Sequence, residues 1–187
     1  MAHSVEFLVD DASDQQIRTQ WAALADAGLP SQAGIASSTN RPHITALAAA
    51  HIAPGIDTAL ATVGMRLPFT VALGGVVVFG YGRKRVVARL VVPTSELLST
   101  HAAAVRLGAP FATDHKGRAG VFDHCVPGSW TPHVTLARRV PLEQLPALFH
   151  ALEPYDTVIG EAPMTVVGLR RWDSDTRTAR VIGGRAC

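Results

Sequence analysis

The sequence predicts an α+β fold in which helices cover antiparallel strands. Segments with apolar residues at helical spacing alternate along the chain with short β-rich runs. Two pairs of these runs follow one another across short turns, near Gly82 and over residues 173–178. Such hairpins require antiparallel pairing, which a parallel doubly wound sheet does not use. We therefore expect antiparallel sheets with helices packed against them.

The first elements are a predicted strand and a predicted helix. The apolar run Val5–Val9 ends in two aspartates, a pattern typical of a strand followed by a helix cap. Ile17, Trp21 and Leu24 then recur at helical spacing, and a glycine and a proline at 28 and 30 end the helix. A small polar loop leads to a predicted strand, "HITAL".

The middle of the chain predicts a hairpin between two helices. Ile56, Leu60 and Val63 indicate a short second helix. The runs "PFTVALGGVVVFGYG" and "RVVARLVVP" follow as the first hairpin, and Thr94 or Ser95 can cap a third helix. The glycine-rich, polar segment over residues 108–129 predicts a long loop or an irregular strand pair.

The last third predicts a strand, a helix and a hairpin. "HVTLA" is strand-like, and Pro141 is expected to open a fourth helix. "MTVVGLRRW" and "ARVIG" form the closing hairpin. Because no linker or low-complexity segment divides the chain, we expect residues 1–187 to form one domain.

Composition narrows the classes of function. The 187 residues are 48% hydrophobic and 17% charged, which is typical of a compact globular protein rather than a disordered one. A formal charge of +2 is too small for a protein that coats long nucleic acids but suits a small anionic substrate. Two cysteines, Cys125 and Cys187, fit a reducing compartment. With no signal peptide or membrane span evident, we expect a cytoplasmic monomer.

One short motif occurs twice. "RPHITAL" begins at Arg41 and "TPHVTLA" begins at Thr131, and each contains proline, histidine, a β-branched residue and threonine in that order. A single His-x-Thr is a weak signal among 8 histidines. Because both copies also share a preceding proline and a β-branched middle residue, the pair of motifs is a strong signal. The alternative without function is that two strands each happen to begin with a histidine whose ring nitrogens form hydrogen bonds to the nearby threonine or backbone.

The motifs present reactive side chains on one face of a strand. Residues i and i+2 of a strand share a face, so His43 projects with Thr45 and His133 projects with Thr135. Imidazoles titrate near neutral pH, so one can accept a proton while the other donates one. Threonine hydroxyls can bind the non-bridging oxygens of a phosphate. The four side chains together predict an anion site that needs no metal or other cofactor.

Paired His-x-Thr motifs in a chain of this size resemble those of the 2H phosphoesterase superfamily. "TPHVTLAR" after Trp130 is especially similar to the bacterial 2′-5′ RNA ligase-like branch. The resemblance implies a bilobed α+β fold with two antiparallel sheets, outer helices, a pseudo-twofold relation and a central cleft. One difference is that Ala46 separates threonine from leucine in the first motif only.

The resemblance also implies an activity. Members act without a metal on 2′,3′-cyclic phosphates of RNA or nucleotides and typically hydrolyse them to 2′-phosphates. Some members reversibly join RNA ends through a 2′-5′ linkage. When the roles of the family's motif residues are transferred to the matching positions here, His43 and His133 are the expected acid–base pair. Thr45 and Thr135 are the expected phosphate ligands. The sequence alone leaves open which histidine is the acid.

Other residues are weaker candidates. Arg41 lies two residues before His43, so its side chain points the same way as that of His43 if the strand includes residue 41. Arg41 is then a candidate contact for an anion. Phe79, Tyr81 and Trp130 are aromatic residues able to stack on a base, although aromatics beside strands more often belong to the core. A loop also gathers residue types that bind metals, without any familiar zinc spacing. These are Asp114, His115, Asp123, His124 and Cys125.

Two other functions remain open at this stage. One is a non-catalytic module that binds RNA ends or nucleotides through the same anion site. The other is an enzyme of the same type that acts on a different phosphodiester, such as a nucleotide-sugar cyclic phosphate or a 2′-5′ oligonucleotide. The expected partner in each case is an RNA 3′ end or a small nucleotide.

Overall fold

The structure is a computed structural model that describes residues 2–156 and 161–184, so Cys187 lies outside the described residues. It contains nine strands and five α-helices within these ranges. The strands are β1 (His3–Val9), β2 (His43–Ala49), β3 (His51–Ile52), β4 (Phe69–Phe79), β5 (Lys84–Val91), β6 (Ala112–Thr113), β7 (His133–Pro141), β8 (Pro163–Asp173) and β9 (Thr178–Gly184). The helices are α1 (Asp11–Asp26), α2 (Ile56–Ala59), α3 (Ala61–Gly64), α4 (Ser95–Gly108) and α5 (Leu145–Leu152).

The strands form two antiparallel sheets, as predicted. The larger sheet has seven strands in the order β1-β2-β7-β5-β4-β8-β9, and β8 also pairs with β1. The smaller sheet contains β3 and β6. Every pairing between named strands in the described part of the chain is antiparallel. The α+β class is therefore confirmed.

The seven-stranded sheet has two halves, which meet at the motifs, where β2 lies next to β7, and again where β4 pairs with β8. One half contains β1, β2, β8 and β9, and the other contains β4, β5 and β7. Strands β2 and β7 are joined through the single pair Ile44↔Val134. Both of these side chains are fully buried in the core. The middle residue of each motif therefore anchors the junction of β2 with β7.

The two strands that flank this junction obey the predicted pseudo-twofold relation. On β1, Glu6 lies opposite Thr45 and Leu8 lies opposite His43. On β5, Ala88 lies opposite Thr135 and Leu90 lies opposite His133. Each motif thus has the same register against its outer neighbour. The one chemical difference between these flanking residues is a carboxylate at position 6 and a methyl group at position 88.

The first and third predicted helices are present with their caps. Asp10 accepts a hydrogen bond from the Ser13 amide at 2.9 Å at the start of α1, and the predicted apolar residues of that helix are buried. Thr94 caps α4 by accepting a hydrogen bond from the Leu97 amide at 3.2 Å. The second predicted helix is divided into the one-turn helices α2 and α3.

The start of the fourth helix was predicted wrongly. Pro141 belongs to β7, where it pairs with Lys84, and a 3₁₀ turn over Leu142–Gln144 precedes α5. A proline is tolerated at the end of a strand as well as in the first turn of a helix, so its presence does not separate the two. The second residue of α5, Pro146, occupies the helix-opening position instead.

The two hairpins and the long loop are confirmed. The turn of the first hairpin contains Gly80 and Gly82 at φ values of 94° and 72°, which only glycine adopts without strain. The second hairpin joins β8 to β9 across residues 174–177. The segment after α4 contains the two-residue strand β6 and otherwise irregular turns. No helix in the described ranges is long and apolar enough to cross a membrane.

Candidate active site

The two motifs begin adjacent strands and present their side chains as predicted. His43 is the first residue of β2 and His133 is the first residue of β7. Both histidines and both threonines are half-buried, whereas the residues between them are fully buried. The i, i+2 alternation of a strand produces this pattern. The antiparallel pairing then places the two motifs side by side.

Both imidazoles are held in the same way. The Nδ1 atom of His43 is 2.6 Å from the Arg41 carbonyl oxygen, and the Nδ1 atom of His133 is 2.7 Å from the Thr131 carbonyl oxygen. Because a carbonyl can only accept, each Nδ1 must carry the hydrogen. The Nε2 atom of each ring is then the one available for proton exchange with a substrate.

His43 has a carboxylate beside it that the sequence analysis did not identify. The Nε2 atom of His43 is 3.6 Å from Oε1 of Glu6, whose side chain is buried. Glu6 also accepts hydrogen bonds from Ser4 Oγ and from Arg170 Nε, each at 2.7 Å. A glutamate within the otherwise apolar run Val5–Val9 is the signal that could have found it.

Glu6 is a charged group despite its burial. Burial by itself raises the pKa of this carboxyl, but the positive charges of His43 and Arg170, with the hydrogen bonds from Ser4 and Arg170, hold the pKa below its usual value of 4.5. The carboxylate is therefore a negatively charged neighbour of the Nε2 atom of His43.

His133 occupies a less polar environment. The residue equivalent to Glu6 is Ala88, and the Phe79 ring lies beside the imidazole with 4.5 Å between ring centroids. Burial lowers the pKa of His133, and repulsion from the positive charge of His43 lowers the pKa further, against the hydrogen bond to the Thr131 carbonyl. The His133 imidazole is therefore neutral at pH 7 and can accept a proton.

Two tryptophans support the threonine backbones. The Trp130 indole N–H donates to the Thr45 carbonyl at 2.9 Å, and the Trp21 indole N–H donates to the Thr135 carbonyl at 3.0 Å. Trp130 also stacks on His101 with 3.7 Å between ring centroids. The N–H and one face of Trp130 are thus engaged within the protein. The periodicity of α1 placed Trp21 in the core but did not indicate this contact.

The other candidate contacts are placed differently. Strand β2 begins at His43, so strand alternation does not fix the direction of Arg41, whose guanidinium forms an ion pair with Asp14 on α1 at 3.4 Å. Arg41 contributes its carbonyl to His43 and lines a concavity together with His43 and Thr135, and its contact with a substrate stays a prediction. Phe79 does lie at the site. Tyr81 is 95% exposed at the tip of the first hairpin, and its contact with a substrate stays a prediction.

The loop with metal-binding residue types is organised internally. Asp114 accepts hydrogen bonds from the backbone amides of Lys116 and Arg118 and from the Arg118 guanidinium. Cys125 is buried, and burial raises the pKa of its thiol to about 11. Among the described residues, no three of the His, Cys, Asp and Glu side chains in this loop come close enough together to hold a metal ion.

The fold and the paired His-x-Thr motifs define a 2H phosphoesterase. A family model described as the 2′-5′ RNA ligase superfamily matches residues 10–176. The chain belongs to this superfamily. No curated protein matches the sequence in a search of such proteins.

Solved structures share the fold at low sequence identity. Escherichia coli LigT in its apo form superposes with a TM-score of 0.55 and 16% identity, over 96% of this chain and 92% of LigT. Kluyveromyces marxianus Usb1 with uridine monophosphate gives a TM-score of 0.56 and 10% identity, over 97% of this chain and 98% of Usb1. LigT complexed with 3′-AMP gives a TM-score of 0.53 and 16% identity, over 96% and 91% of the two chains.

Proposed function

We propose that this protein is a metal-independent phosphodiesterase that hydrolyses the 2′,3′-cyclic phosphate of an RNA end or a nucleotide to a 2′-phosphate. The observation that carries the proposal is the meeting of the two motifs at the Ile44↔Val134 pair. Each half of the sheet contributes one imidazole with its Nε2 atom available and one threonine on the same face.

In this proposal, His133 is the general base. Its lowered pKa keeps the imidazole neutral at pH 7, so Nε2 can take a proton from water as the water oxygen attacks phosphorus. A new P–O bond forms to the water oxygen while the bond between phosphorus and the ribose 3′-oxygen breaks.

His43 is the general acid. The Glu6 carboxylate 3.6 Å away stabilises the imidazolium, which gives its proton to the departing 3′-oxygen. The products are a 2′-phosphomonoester and a 3′-hydroxyl. Thr45 and Thr135 donate their hydroxyl hydrogens to the non-bridging oxygens, where negative charge must be stabilised in the transition state.

The same acid–base scheme serves 2′-5′ ligation, with the 5′-hydroxyl of a second RNA in place of water. The nucleotides bound to LigT and Usb1 support a nucleotide or an RNA 3′ end as the partner of this site. Phe79, beside His133, is the aromatic side chain best placed to contact a base or ribose of the substrate.

The decisive experiment measures turnover of a 2′,3′-cyclic nucleotide in the presence of EDTA. We expect the wild-type protein to form the 2′-phosphate, and His43→Ala and His133→Ala each to lose activity by about 10²–10⁴-fold. His150→Ala is the matched control, because that imidazole is exposed on α5 and forms an ion pair with the neighbouring Glu153.

Three outcomes would contradict parts of the proposal. Undiminished turnover in either histidine variant would refute the assigned roles. Tight binding of the cyclic nucleotide without any turnover would favour the non-catalytic binding module. Turnover only of another phosphodiester in a product screen would keep the mechanism and replace the substrate.

A further inference from the structure

A second cluster of histidine and carboxylate side chains lies at the other end of β1. One ring nitrogen of His3, one of His51 and one carboxylate oxygen of Asp175 all lie within 4.8 Å of one another. The two rings meet edge to face with 5.0 Å between centroids. The three residues come from β1, β3 and the turn between β8 and β9, so the fold and not the local sequence brings them together.

The contacts of His3 are incomplete for a buried imidazole. The side chain is 1% exposed, and its Nε2 atom is 3.1 Å from an Asp175 carboxylate oxygen. The Nδ1 atom is buried and has no hydrogen-bond partner among the described residues. A carboxylate oxygen of Asp173 lies 3.7 Å from that atom. A buried polar nitrogen without a partner requires an explanation.

The donor set suits a zinc ion. Two imidazoles and one carboxylate are common zinc ligands, and they leave a fourth position for water. In tetrahedral coordination the ligand atoms are about 3.3–3.5 Å apart, as follows from metal–ligand distances near 2.0–2.2 Å. His51 and Asp175 are exposed, so small rotations of their side chains can close the difference from 4.8 Å.

Asp173 lies where a supporting carboxylate is expected. A histidine that binds zinc through one nitrogen commonly donates its other N–H to a carboxylate, which fixes the ring and strengthens the bond to the metal. With His3 Nε2 as the ligand atom, Nδ1 faces Asp173. A movement of a few tenths of an ångström would make that contact a hydrogen bond and satisfy the orphaned nitrogen.

We propose that His3, His51 and Asp175 bind one zinc ion, which fastens the start of β1 to β3 and to the β8–β9 turn. His3 is five residues along β1 from Leu8, the partner of His43, and this corresponds to about 17 Å at the rise of a strand. The site is therefore separate from the proposed active site and does not depend on the function proposed for it.

The test is a zinc titration of tag-free protein that has been stripped with EDTA and dialysed. Calorimetry with ZnCl₂ is expected to show one saturable site, and Co²⁺ to give visible d–d absorption at the same stoichiometry. Zinc is also expected to raise the melting temperature by a few degrees, since it binds only the folded state.

The zinc site is tested by substituting its two exposed ligands. His51→Ala and Asp175→Asn are expected each to weaken zinc binding by at least about tenfold, while leaving the melting temperature in EDTA unchanged. His150→Ala, which removes an exposed imidazole outside the cluster, is expected to bind zinc as the wild type does. Cyclic-nucleotide turnover in EDTA is expected to be the same in all three variants.

Two results would overturn the inference. The first is the absence of saturable zinc binding by the wild-type protein. The second is equal zinc affinity in the wild type, His51→Ala and Asp175→Asn, which would place any bound ion elsewhere. In either case the contacts of His3 with Asp173 and Asp175 would only join the start of β1 to the β8–β9 turn.

Discussion

Replacing Glu6 by Gln tests the assignment of His43 as the acid and His133 as the base. The substitution removes one negative charge 3.6 Å from His43 Nε2 and retains a side chain of similar size. The amide oxygen of glutamine can still accept the hydrogen bond from Arg170, and its NH₂ group can donate to the Ser4 hydroxyl. The change therefore affects the charge next to one of the two histidines and preserves most of the surrounding structure.

The magnitude follows from the distance and the surroundings. Two unit charges 3.6 Å apart in an environment with an effective dielectric constant of about 20 interact by about 4–5 kcal/mol. Arg170, bound to the other oxygen of the same carboxylate, and the 25% exposure of His43 reduce this value. A net loss of about 1.4 kcal/mol of this attraction corresponds to a displacement of one pH unit in one limb of a pH–rate profile.

The assay is the pH dependence of kcat and KM for a 2′,3′-cyclic nucleotide. Because the acid must be protonated, activity is lost on the alkaline side, and Glu6→Gln is expected to move that limb about one pH unit lower. The acidic limb, which reports the base His133, is expected to stay in place, and KM is expected to change little. Glu96→Gln, an exposed carboxylate on α4, is the matched control.

One pattern would refute the reasoning. If Glu6→Gln moved the acidic limb and left the alkaline limb unchanged, the two histidines would have the reverse roles. An unchanged pH profile with a uniformly lower kcat would show that Glu6 only supports the fold through Arg170. Glu6→Asp, which keeps the charge on a shorter side chain, is expected to restore part of the profile.

Three further predictions concern the same site. Thr45→Val and Thr135→Val keep the shape of the strand but remove a hydroxyl, and each is expected to lower kcat for a cyclic nucleotide by about 10–10³-fold with an unchanged melting temperature; wild-type kcat in both would contradict phosphate binding. Trp130→Phe removes the hydrogen bond to the Thr45 carbonyl and is expected to lower the free energy of unfolding by about 1 kcal/mol in urea titrations. The pKa of His133 is lowered by folding, so its contribution to stability is present above its unfolded pKa of about 6.5 and is lost as the pH falls below that value. Urea unfolding at pH 7.5 and 5.5 is expected to show a smaller loss of stability in His133→Gln than in the wild type.

The local features of the fold follow from the sequence. Strand alternation predicted that His43 and Thr45 share a face opposite a buried residue, and the burial pattern confirms it. The caps at Asp10 and Thr94 and both hairpins were also predictable. These features depend on interactions between residues close together in the chain, where side-chain type and periodicity are sufficient evidence.

The failures have a common cause. Pro141 suits the end of a strand as well as the start of a helix, and only pairing with Lys84 on another strand decides between them. The sequence also left the direction of Arg41 open, because it depends on where β2 begins, and pairing with β1 begins at His43. Both questions are settled by hydrogen bonds to a neighbouring strand that is distant in the sequence.

The sequence by itself determined that this chain has two His-x-Thr motifs on strands and hence a proposed divided acid–base site. Only the tertiary structure decided how the two histidines differ. The structure places Glu6 opposite Thr45 and Ala88 opposite Thr135, and so puts a carboxylate beside one imidazole and a methyl group near the other. The physical reason is that the protonation state of a histidine depends on charges and burial in space, and strand register sets these between distant segments of the chain.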